Sequence, residues 1–433
     1  MIKEKEYKSR RLKVAHSLKK NSVAIVFSAK QKTRSNDTEF PYRQNSNFYY
    51  LTGFKEDNAA LVIVKKSKKV KTYMFVQKKD KQLELWTGKR VGVKKAKKLF
   101  DVDDIFEYDT KNIKLKEFFG SANSVYYDFK LDYSDVKVIK RYTKNVSTYK
   151  NIALIIEKMR LIKSSSEIAL IKKALLITKE AHHKSMSLSN ELEYEYELQA
   201  EIEYIFKKNG AYSDAYTSIV ASGDNANTLH YIANDKKLKN GELILIDAGC
   251  EYGYYASDIT RTIPVNGKFS RAQKDIYELV LSVEKKIIKM IRAGILRSDL
   301  QKESEKLLCE GMIKLGILKG DIKILLKNKS HKKYYPHGIG HWMGIDVHDE
   351  APYKDKKLRE IPLLEGMVIT IEPGLYLPKN DKSIPKKYRG IGVRIEDDIV
   401  VLKDGYKNLS LSIVKEIDDI EASSMSYKSS SNL

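Results

Sequence analysis

One stretch constrains the fold of this chain more than any other: Leu243–Thr262, which reads LILIDAGCEYGYYASDITRT. Two apolar runs each carry an aspartate, Asp247 and Asp258, and Gly253 between them can adopt the positive φ that a tight turn often needs. The stretch therefore predicts a β-hairpin. A turn centred between Tyr252 and Gly253 would place the two aspartates directly opposite each other.

Directly opposed residues on paired strands have Cβ atoms roughly 5 Å apart. Two like charges at that distance destabilise a fold unless a positive charge lies between them. The apolar run into Asp247 predicts a buried strand, and aspartate is almost never fully buried without a partner. One divalent cation, or two, is the predicted partner. At this point a solvated hairpin with two surface aspartates remains the alternative.

The chain has 433 residues, which predicts two or three domains, and its 42% of hydrophobic residues excludes global disorder. No apolar run reaches the roughly 18 residues that span a membrane, and no apolar signal region follows the charged N-terminus. The two cysteines, Cys250 and Cys309, lie far apart and make no metal-ligand spacing. We expect a reduced, cytoplasmic setting and no membrane partner.

The formal net charge of +23 raises the question of nucleic-acid binding. The lysines, however, are scattered in pairs along the whole chain, and the richest stretch, KKSKKVK at 65–71, lies between two β-like runs. A general lysine bias is a sufficient explanation. Nucleic-acid binding is therefore not expected.

The first part of the chain alternates strand and helix patterns, which predicts a mixed α/β domain with a parallel or mixed sheet. Between the first two strands we expect a polar-aromatic loop, Thr33–Phe54. The predicted helices are 5–20, 91–99 and Lys111–Phe119, and the predicted strands are Val23–Phe27, Ala60–Val64, Thr72–Gln77 and Val125–Phe129.

The second part begins with helical patterns, of which the second is expected to start after a cap at Ser189–Asn190. Its further predicted helices and strands are Glu167–His182, a long helix between Ser270 and Gly294, Leu300–Leu315, Val368–Glu372 and Gly392–Val401. The predicted organisation is a first domain at 1–150, a helical linker at 151–165, a second domain at 166–420 and a disordered tail at 421–433.

Several side chains with ligand or acid–base chemistry cluster in the second part. Three of the eight histidines fall within HGIGHWMGIDVH, an enrichment that a structural role explains poorly. A glutamate ends a β run before Pro-Gly, and an arginine and a glutamate share one face of a predicted strand. The residues concerned are His337, His341, His348, Glu372, Arg394 and Glu396, and His230 follows a glycine turn.

Four carboxylates and one imidazole form the predicted ligand set: Asp247, Asp258, His341, Glu372 and Glu396. This set favours Mn(II) first, then Co(II), Zn(II) or Fe(II). Four negative charges nearly match two divalent ions, and a two-metal site with ions about 3.5–4 Å apart can bind a bridging water as hydroxide. The set predicts hydrolysis, with His230, His337 and His348 near the substrate carbonyl.

Five motifs in order resemble the aminopeptidase P (Xaa-Pro aminopeptidase) family of pita-bread metallopeptidases, over nearly the whole chain. They are TRSNDTEFPYRQNSNFYYLTGF, IDAGCEYGYYASDITRT, HGIGHWMGIDVHD, ITIEPGLY and GVRIEDD. The resemblance implies an α/β (α+β) protein with an N-terminal mixed α/β domain and a C-terminal pita-bread (creatinase/aminopeptidase) catalytic domain. It also implies an exopeptidase that removes the N-terminal residue of peptides with proline second, by attack of a hydroxide that bridges two metal ions.

The resemblance assigns a role to each site residue. It implies that Asp247 binds one ion through both oxygens, that Asp258 and Glu396 bridge, and that His341 and Glu372 complete one site. Glu372 would also accept the proton of the attacking water. The same resemblance implies substrate contacts for His230, His337 and His348 and a supporting role for Arg394. An apolar wall for the proline ring is expected from histidines and Tyr376.

Two alternatives remain open: a prolidase that cuts only dipeptides, and a non-catalytic pita-bread module that binds peptides or nucleic acid. The PYRQNSNFYYLTG block favours aminopeptidase P over prolidase. A homodimer or homotetramer is expected, since the resemblance implies that Trp86 can face the active site of a neighbouring subunit.

Overall fold

The structure, a computed structural model, describes residues 1–144 and 146–430, with side chains of the last helix described as far as residue 424. The chain divides into two compact units, Met1–Met159 and Arg160–Leu433. This division falls inside the predicted linker at 151–165, and the predicted domain limits themselves stay a prediction. Among the described residues, no helix has both the length and the apolar character needed to cross a bilayer.

The first unit contains a mixed sheet flanked by helices. Its strands are β1 Ser22–Phe27, β2 Thr33–Ser35, β3 Thr38–Glu39, β4 Ala60–Lys66, β5 Lys69–Val76, β6 Asp104–Glu107, β7 Ser124–Tyr127 and β8 Thr148–Asn151. Its helices are α1 Glu4–Ser17, α2 Ser46–Thr52, α3 Lys81–Thr87, α4 Gly92–Leu99, α5 Lys111–Phe119, α6 Tyr133–Tyr142 and α7 Ala153–Arg160, with a 3-10 helix at Tyr108–Thr110.

Among the described residues of this unit, six strands follow the order β6-β5-β4-β1-β7-β8. The pairs β1–β4 and β4–β5 are antiparallel, and the other neighbours are parallel. Every residue of β1 is buried, as expected for a central strand that reads as one apolar run. The predicted mixed sheet is thus confirmed.

The prediction of a loop over Thr33–Phe54 is wrong in part. The stretch holds the short hairpin β2–β3 and helix α2. The helix begins where the Asn45 side chain accepts a hydrogen bond from Phe48 N and ends at Gly53 with φ of 68°. Its aromatic residues are buried, so an aromatic-rich stretch that lacks a long helical period still packs as a helix.

The second unit combines small antiparallel sheets with long helices. Its helices are α8 Ser165–Leu188, α9 Glu195–Lys208, α10 Arg271–Met290, α11 Arg297–Lys314, α12 Ile322–Lys327 and α13 Ile417–Ser430. Its strands are β9 Ser213–Asp214, β10 Ile219–Ser222, β11 Leu243–Asp247, β12 Cys250–Tyr252, β13 Tyr255–Ala256, β14 Thr260–Pro264, β15 Val368–Ile371, β16 Gly374–Leu377, β17 Ile391–Arg394, β18 Asp397–Leu402 and β19 Gly405–Asn408. Three 3-10 helices are Gly223–Asn227, Ser330–Lys333 and Lys386–Tyr388.

One large apolar core joins the strands of this unit to its helices. The long helix α10 begins at Ser270, which forms a reciprocal capping box with Gln273. Buried positions of α10 such as Ile276 and Val280 share this core with Val393 of β17. The sheets are β10-β11-β14, β13-β12-β9, β15-β18-β19 and β16-β17.

The predicted hairpin over Leu243–Thr262 exists, but its predicted register is wrong by two residues. Asp247 pairs with Thr260 in β11–β14, and Tyr252 pairs with Tyr255 in β12–β13. The turn residues are Gly253 and Tyr254, whose φ angles are 59° and 70°. Two positive φ angles are typical of the type I′ turn that matches strand twist. Tyr254 thus shares the left-handed conformation that was assigned to Gly253 alone.

The predicted strand Gly392–Val401 is interrupted. The structure has β17 up to Arg394 and β18 from Asp397, so Glu396 lies in the break. β17 pairs with β16, whereas β18 pairs with β15 and β19. The change of partner explains why one apolar run forms two strands.

The structure also differs from the predictions at the start of α9 and in the C-terminal tail. Ser189 follows the last residue of α8, and α9 begins later, at Glu195, where the side chain of Glu197 accepts a hydrogen bond from Tyr194 N. Helix α13, Ile417–Ser430, extends into the stretch 421–433 that was predicted to be disordered, and Ser424 of this helix donates to Met186 O. Residues 431–433 lie outside the described residues.

Gly249→Ala is expected to destabilise the second unit by about 1–3 kcal/mol, because a Cβ at this position would lie on the carbonyl oxygen of Ser257. Urea unfolding followed by circular dichroism measures the change. Gly405→Ala is the matched control, since nothing lies within 4 Å of its Cβ position, and its effect should stay within about 0.5 kcal/mol. Equal stabilities of the two variants would contradict the close packing of the hairpin.

Candidate metal centre

The predicted site residues converge on one cavity of about 540 Å³ in the second unit. All nine line it: His230, Asp247, Asp258, His337, His341, His348, Glu372, Arg394 and Glu396. Among the described residues, the side chains of Asp258, His341 and Glu396 form a group whose possible ligand atoms all lie within 4.8 Å of one another.

Each carboxylate of the predicted ligand set lies where a strand ends or breaks. Asp247 is the last residue of β11, and Asp258 lies between β13 and β14. Glu372 follows β15, and Glu396 separates β17 from β18. Because a continuous strand alternates its side chains between two faces, these ends and breaks let acids from four different elements point to one place.

The imidazole of His341 has a fixed orientation. Its Nδ1 donates to the carbonyl oxygen of Trp342 at 3.1 Å, which leaves Nε2 as the nitrogen available to a metal ion. Nε2 lies 3.2 Å from Asp258 Oδ2 and 3.7 Å from Glu372 Oε1. Burial lowers the pKa of His341, but the hydrogen bond and charge of Asp258 outweigh it and raise that pKa to about 9.

The glycine before this histidine allows a very close approach of two segments. A Cβ at Gly340 would lie on the carbonyl oxygen of Thr370. At this crossing His341 N donates to Thr370 Oγ1 at 3.1 Å, and Thr370 N donates to His341 O at 3.0 Å. The glycine of the HGIGH motif therefore holds the imidazole against the strand that ends at Glu372.

Two side chains hold Asp247, one at each carboxylate oxygen. Arg394 Nη2 donates to Asp247 Oδ2 at 2.6 Å, and the Tyr216 hydroxyl donates to Asp247 Oδ1 at 2.6 Å. Arg394 is buried and also donates to Thr260 Oγ1 and to the Tyr376 hydroxyl, both at 3.0 Å. Arg394 thus orients a carboxylate and lies beside it as a positive charge.

Several carboxyl groups lie close together at this cavity, where surrounding protein excludes much of the water. Desolvation raises the pKa of Glu372 to about 7 and that of Glu396 well above its usual value, and neighbouring carboxylates add to both shifts. Desolvation also raises the pKa of Asp247, against the opposing charge of Arg394. Bound divalent cations would favour the ionised forms. The donor set therefore fits divalent metal ions, with Asp247, Asp258, His341, Glu372 and Glu396 available to hold them.

The three remaining histidines differ in burial and charge. His337 donates through Nδ1 to Gly338 O, and its Nε2 lies 2.8 Å from the Tyr376 hydroxyl. Burial, followed by the charge of Arg394, lowers the pKa of His337 to about 3. His348 is exposed at the cavity, with its ring centroid 4.1 Å from that of His341. Partial desolvation by the surrounding protein, followed by the charge of His341, lowers the pKa of His348. His230 is exposed at the cavity.

Tyr376 does not line the cavity as predicted. Its hydroxyl instead connects Arg394 with His337, and burial raises its pKa to about 12. The apolar part of the lining comes from side chains outside the predicted set, among them Ile219, Leu229, Ile232 and Val347.

A buried ion cluster holds the loop that carries His348. Arg160 Nη2 contacts Asp346 Oδ2 and Asp349 Oδ1, both at 2.5 Å, and Lys163 Nζ lies 3.0 Å from Asp349 Oδ2. Asp349 N in turn donates to Trp342 O at 2.8 Å. The cluster thus fixes both ends of the loop between His341 and Asp349.

Sequence reasoning missed several residues that support the ligands. Thr260 Oγ1 donates to Glu396 Oε2 at 2.7 Å, and Arg261 Nη1 donates to Glu396 O at 2.6 Å. Asp258 N donates to Asp398 Oδ2 at 3.1 Å. Thr260, Arg261 and Asp398 lie inside the quoted motifs DITRT and GVRIEDD, which was a usable signal. No spacing rule connects Arg160 and Lys163 with Asp349. The separation between Lys163 and Asp349 is 186 residues.

The chain matches two family models. Residues 169–403 match the model described as metallopeptidase family M24, and residues 7–126 match the aminopeptidase P N-terminal domain. The chain is 39% identical to the Xaa-Pro aminopeptidase of Haemophilus influenzae over 420 residues, which covers 97% of each chain.

Solved structures agree with this similarity. Aminopeptidase P from Escherichia coli with the inhibitor Pro-Leu superposes with a TM-score of 0.95 at 38% identity and covers 99% of each chain. A zinc-substituted form of the Escherichia coli enzyme in complex with product has a TM-score of 0.95 at 37% identity, covering 98% of this chain and 99% of the other.

Metal binding is expected to be measurable without any substrate. Protein stripped with EDTA and titrated with Mn²⁺ should bind about two ions per chain and unfold at a higher temperature, with a gain of about 2.7 kcal/mol for each bound ion at a 100-fold excess over Kd. Glu396→Gln should lower the stoichiometry, because an amide replaces a ligating carboxylate. Elemental analysis and thermal unfolding are the measurements.

Glu365→Gln is the matched control, since Glu365 is exposed and should leave metal content unchanged. A wild-type protein that binds no divalent ion would contradict the assignment of the metal centre.

Proposed function

This chain belongs to metallopeptidase family M24, and we propose that it is an Xaa-Pro aminopeptidase, which removes the N-terminal residue of a peptide whose second residue is proline. The observation that carries the proposal is the convergence of Asp258, His341 and Glu396 in a cavity that Asp247 and Glu372 also line. The matched N-terminal domain at 7–126 supports aminopeptidase P over prolidase.

The metal ions are proposed to be two Mn²⁺, held by Asp247, Asp258, His341, Glu372 and Glu396. Such ions, when bound, act as Lewis acids and lower the pKa of a water molecule to near neutrality, which makes it a nucleophile for a peptide carbonyl. The zinc-substituted form of the Escherichia coli relative supports a divalent site.

Glu372 is proposed to accept the proton of the attacking water and to return it to the leaving proline nitrogen. A general base works best when its pKa lies near the working pH. Glu372 is 18% exposed at the side chain, so it reaches the cavity while protein surrounds most of it. Its Oε2 lies 3.8 Å from His337 Nδ1.

The other residues are proposed to bind and orient the peptide. His348 and His230 are exposed at the cavity and can donate to the substrate carbonyl as negative charge develops on it. Arg394 holds Asp247 in place, and the free amine of the substrate is proposed to bind near Asp247. The apolar lining residues Ile219 and Val347 suit the proline ring.

Two further proposals, on the cellular setting and on the oligomeric state, rest on residues other than the candidate metal ligands. A cytoplasmic setting is supported by Cys250 and Cys309, which are buried free thiols. A homodimer or homotetramer is supported by Leu85 and Trp86 of α3, which are 82% and 84% exposed, because large exposed apolar side chains commonly mark protein interfaces.

Substrate specificity tests the proposal directly. The Mn²⁺-loaded protein is expected to cleave a tripeptide Xaa-Pro-Yaa after its first residue and to leave Xaa-Ala-Yaa intact, as followed by mass spectrometry. Cleavage of dipeptides Xaa-Pro alone would identify a prolidase. Absence of cleavage together with salt-sensitive binding to nucleic acid would identify a non-catalytic binding module.

Glu372→Ala is expected to lower kcat by at least 10²–10⁴-fold, the order of magnitude that general acid–base catalysis contributes, while the protein stays folded. Steady-state kinetics and circular dichroism check the two parts. The exposed Glu365→Gln should keep the wild-type kcat. Wild-type turnover in Glu372→Ala would refute the proposed proton transfer.

A further inference from the structure

The loop that carries His230 lies between β10 and β11. It starts from Ser222, the last residue of β10, contains the 3-10 helix Gly223–Asn227 and continues past Lys236 towards β11. We call residues 222–236 the His230 loop. Its residues Leu229, His230 and Ile232 line the cavity of the metal centre. The position of this loop therefore decides where His230 meets a peptide.

The two neighbours of His230 anchor it on the protein. Leu229 and Tyr231 both pack against a small buried cluster beside the cavity, formed by Ile219, Ala221, Ala226, Leu245 and Tyr376. Because His230 lies between two anchored residues, its freedom is set by what holds Leu229 and Tyr231. Apolar packing holds these two side chains against the cluster, but it is not directional. Hydrogen bonds are needed to fix the position of the loop along the surface of the cluster.

Glu195 supplies directional contacts to the whole His230 loop. It is the first residue of α9 and its side chain is completely buried. Its Oε1 accepts from Ser222 N and Ser222 Oγ, each at 2.7 Å, and from Asn225 Nδ2 at 3.0 Å. Its Oε2 accepts from the Tyr231 hydroxyl at 2.8 Å and from Lys236 N at 3.0 Å.

The carboxylate thus contacts the beginning, the middle and the end of the loop. The backbone of Glu195 adds a sixth bond, from its N to Lys236 O at 3.0 Å. Hydrogen bonds to a charged acceptor are roughly twice as strong as neutral ones, and the N-terminus of a helix favours a negative charge. Five donors therefore satisfy both oxygens of this buried carboxylate.

We propose that Glu195 is a positioning residue for peptide cleavage, which sets the place of His230 in the cavity by tying together Ser222, Tyr231 and Lys236. Glu195 does not line the cavity, so it acts through the His230 loop. The proposal rests on the proposed aminopeptidase function and on the role of His230 in it.

Glu195→Gln changes the shape of the side chain little but removes one of the two acceptor oxygens that pair with the N–H donors of the loop. Each carboxylate oxygen accepts one backbone N–H, from Ser222 or from Lys236. An amide has one acceptor oxygen and one NH₂ donor, so in either orientation its NH₂ faces a backbone N–H. The expected result is a loss of about 10- to 100-fold in kcat/KM for Xaa-Pro-Yaa, since small misplacements of contacting groups have effects of this size, with the metal content unchanged.

A double-mutant cycle with His230→Ala separates positioning from general destabilisation. If Glu195 acts through His230, Glu195→Gln should change kcat/KM by less than about two-fold in the His230→Ala background. Equal losses in both backgrounds would overturn the proposal. So would a folded Glu195→Gln variant with wild-type kcat/KM.

Glu197→Gln is the matched control. Glu197 lies in the same helical turn and accepts from Glu193 N at 2.7 Å and from Tyr194 N at 3.2 Å. It should keep kcat/KM within about two-fold. If Glu195→Gln fails to fold, Tyr231→Phe removes only the hydroxyl donor and should cause a smaller loss in the same direction, which again disappears in the His230→Ala background.

Hydrogen exchange gives a readout that does not depend on activity. Mass spectrometry should show faster amide exchange in residues 222–236 of Glu195→Gln, but not of Glu197→Gln. Unchanged exchange in this segment would overturn the anchoring role. A wild-type protein that exchanges slowly in the His230 loop but cleaves no Xaa-Pro peptide would refute the proposed function while the exchange comparison still decides the anchoring.

Discussion

Repulsion among carboxylates in a poorly hydrated cavity is the constraint on which the second unit depends. Four acids meet there because each lies at the end or break of a strand, and burial raises the pKa of Glu372, Glu396 and Asp247. An arrangement of this kind costs folding free energy unless positive charge offsets it. Arg394 and His341 offset part of it from within the chain. Metal affinity and fold stability are therefore two aspects of the same charge balance.

The polar groups around this centre show how the fold keeps exposed histidines in place. The buried cations Arg160 and Lys163 hold Asp349, next to His348. The buried carboxylate of Glu195 holds the His230 loop through neutral donors. In both cases a buried charge acts on a loop from behind. The histidine side chain stays accessible at the cavity, while its backbone is fixed.

The fold and the convergence of the candidate site residues were largely predictable, because apolar runs, capping residues and motif order are local signals. The cavity lined by all nine predicted residues follows from such motifs. What failed depended on structure beyond the local pattern. The hairpin register depends on the positive φ of Tyr254. The separation of β17 from β18 depends on a change of strand partner. The support from Glu195 spans 27 to 41 residues, too far for any spacing rule.

The place of Arg160 and Lys163 in the chain has a consequence for how this protein can be divided in evolution or by design. Both belong to the second compact unit, and both precede residue 166, where the sequence pattern alone would start the second domain. A chain that started at residue 166 would lack Arg160 and Lys163. The buried carboxylate of Asp349 would then have neither of these two cations as a partner. A second unit that keeps this ion cluster therefore begins no later than Arg160, and an exchange of N-terminal domains would have to leave Arg160 and Lys163 with the second unit.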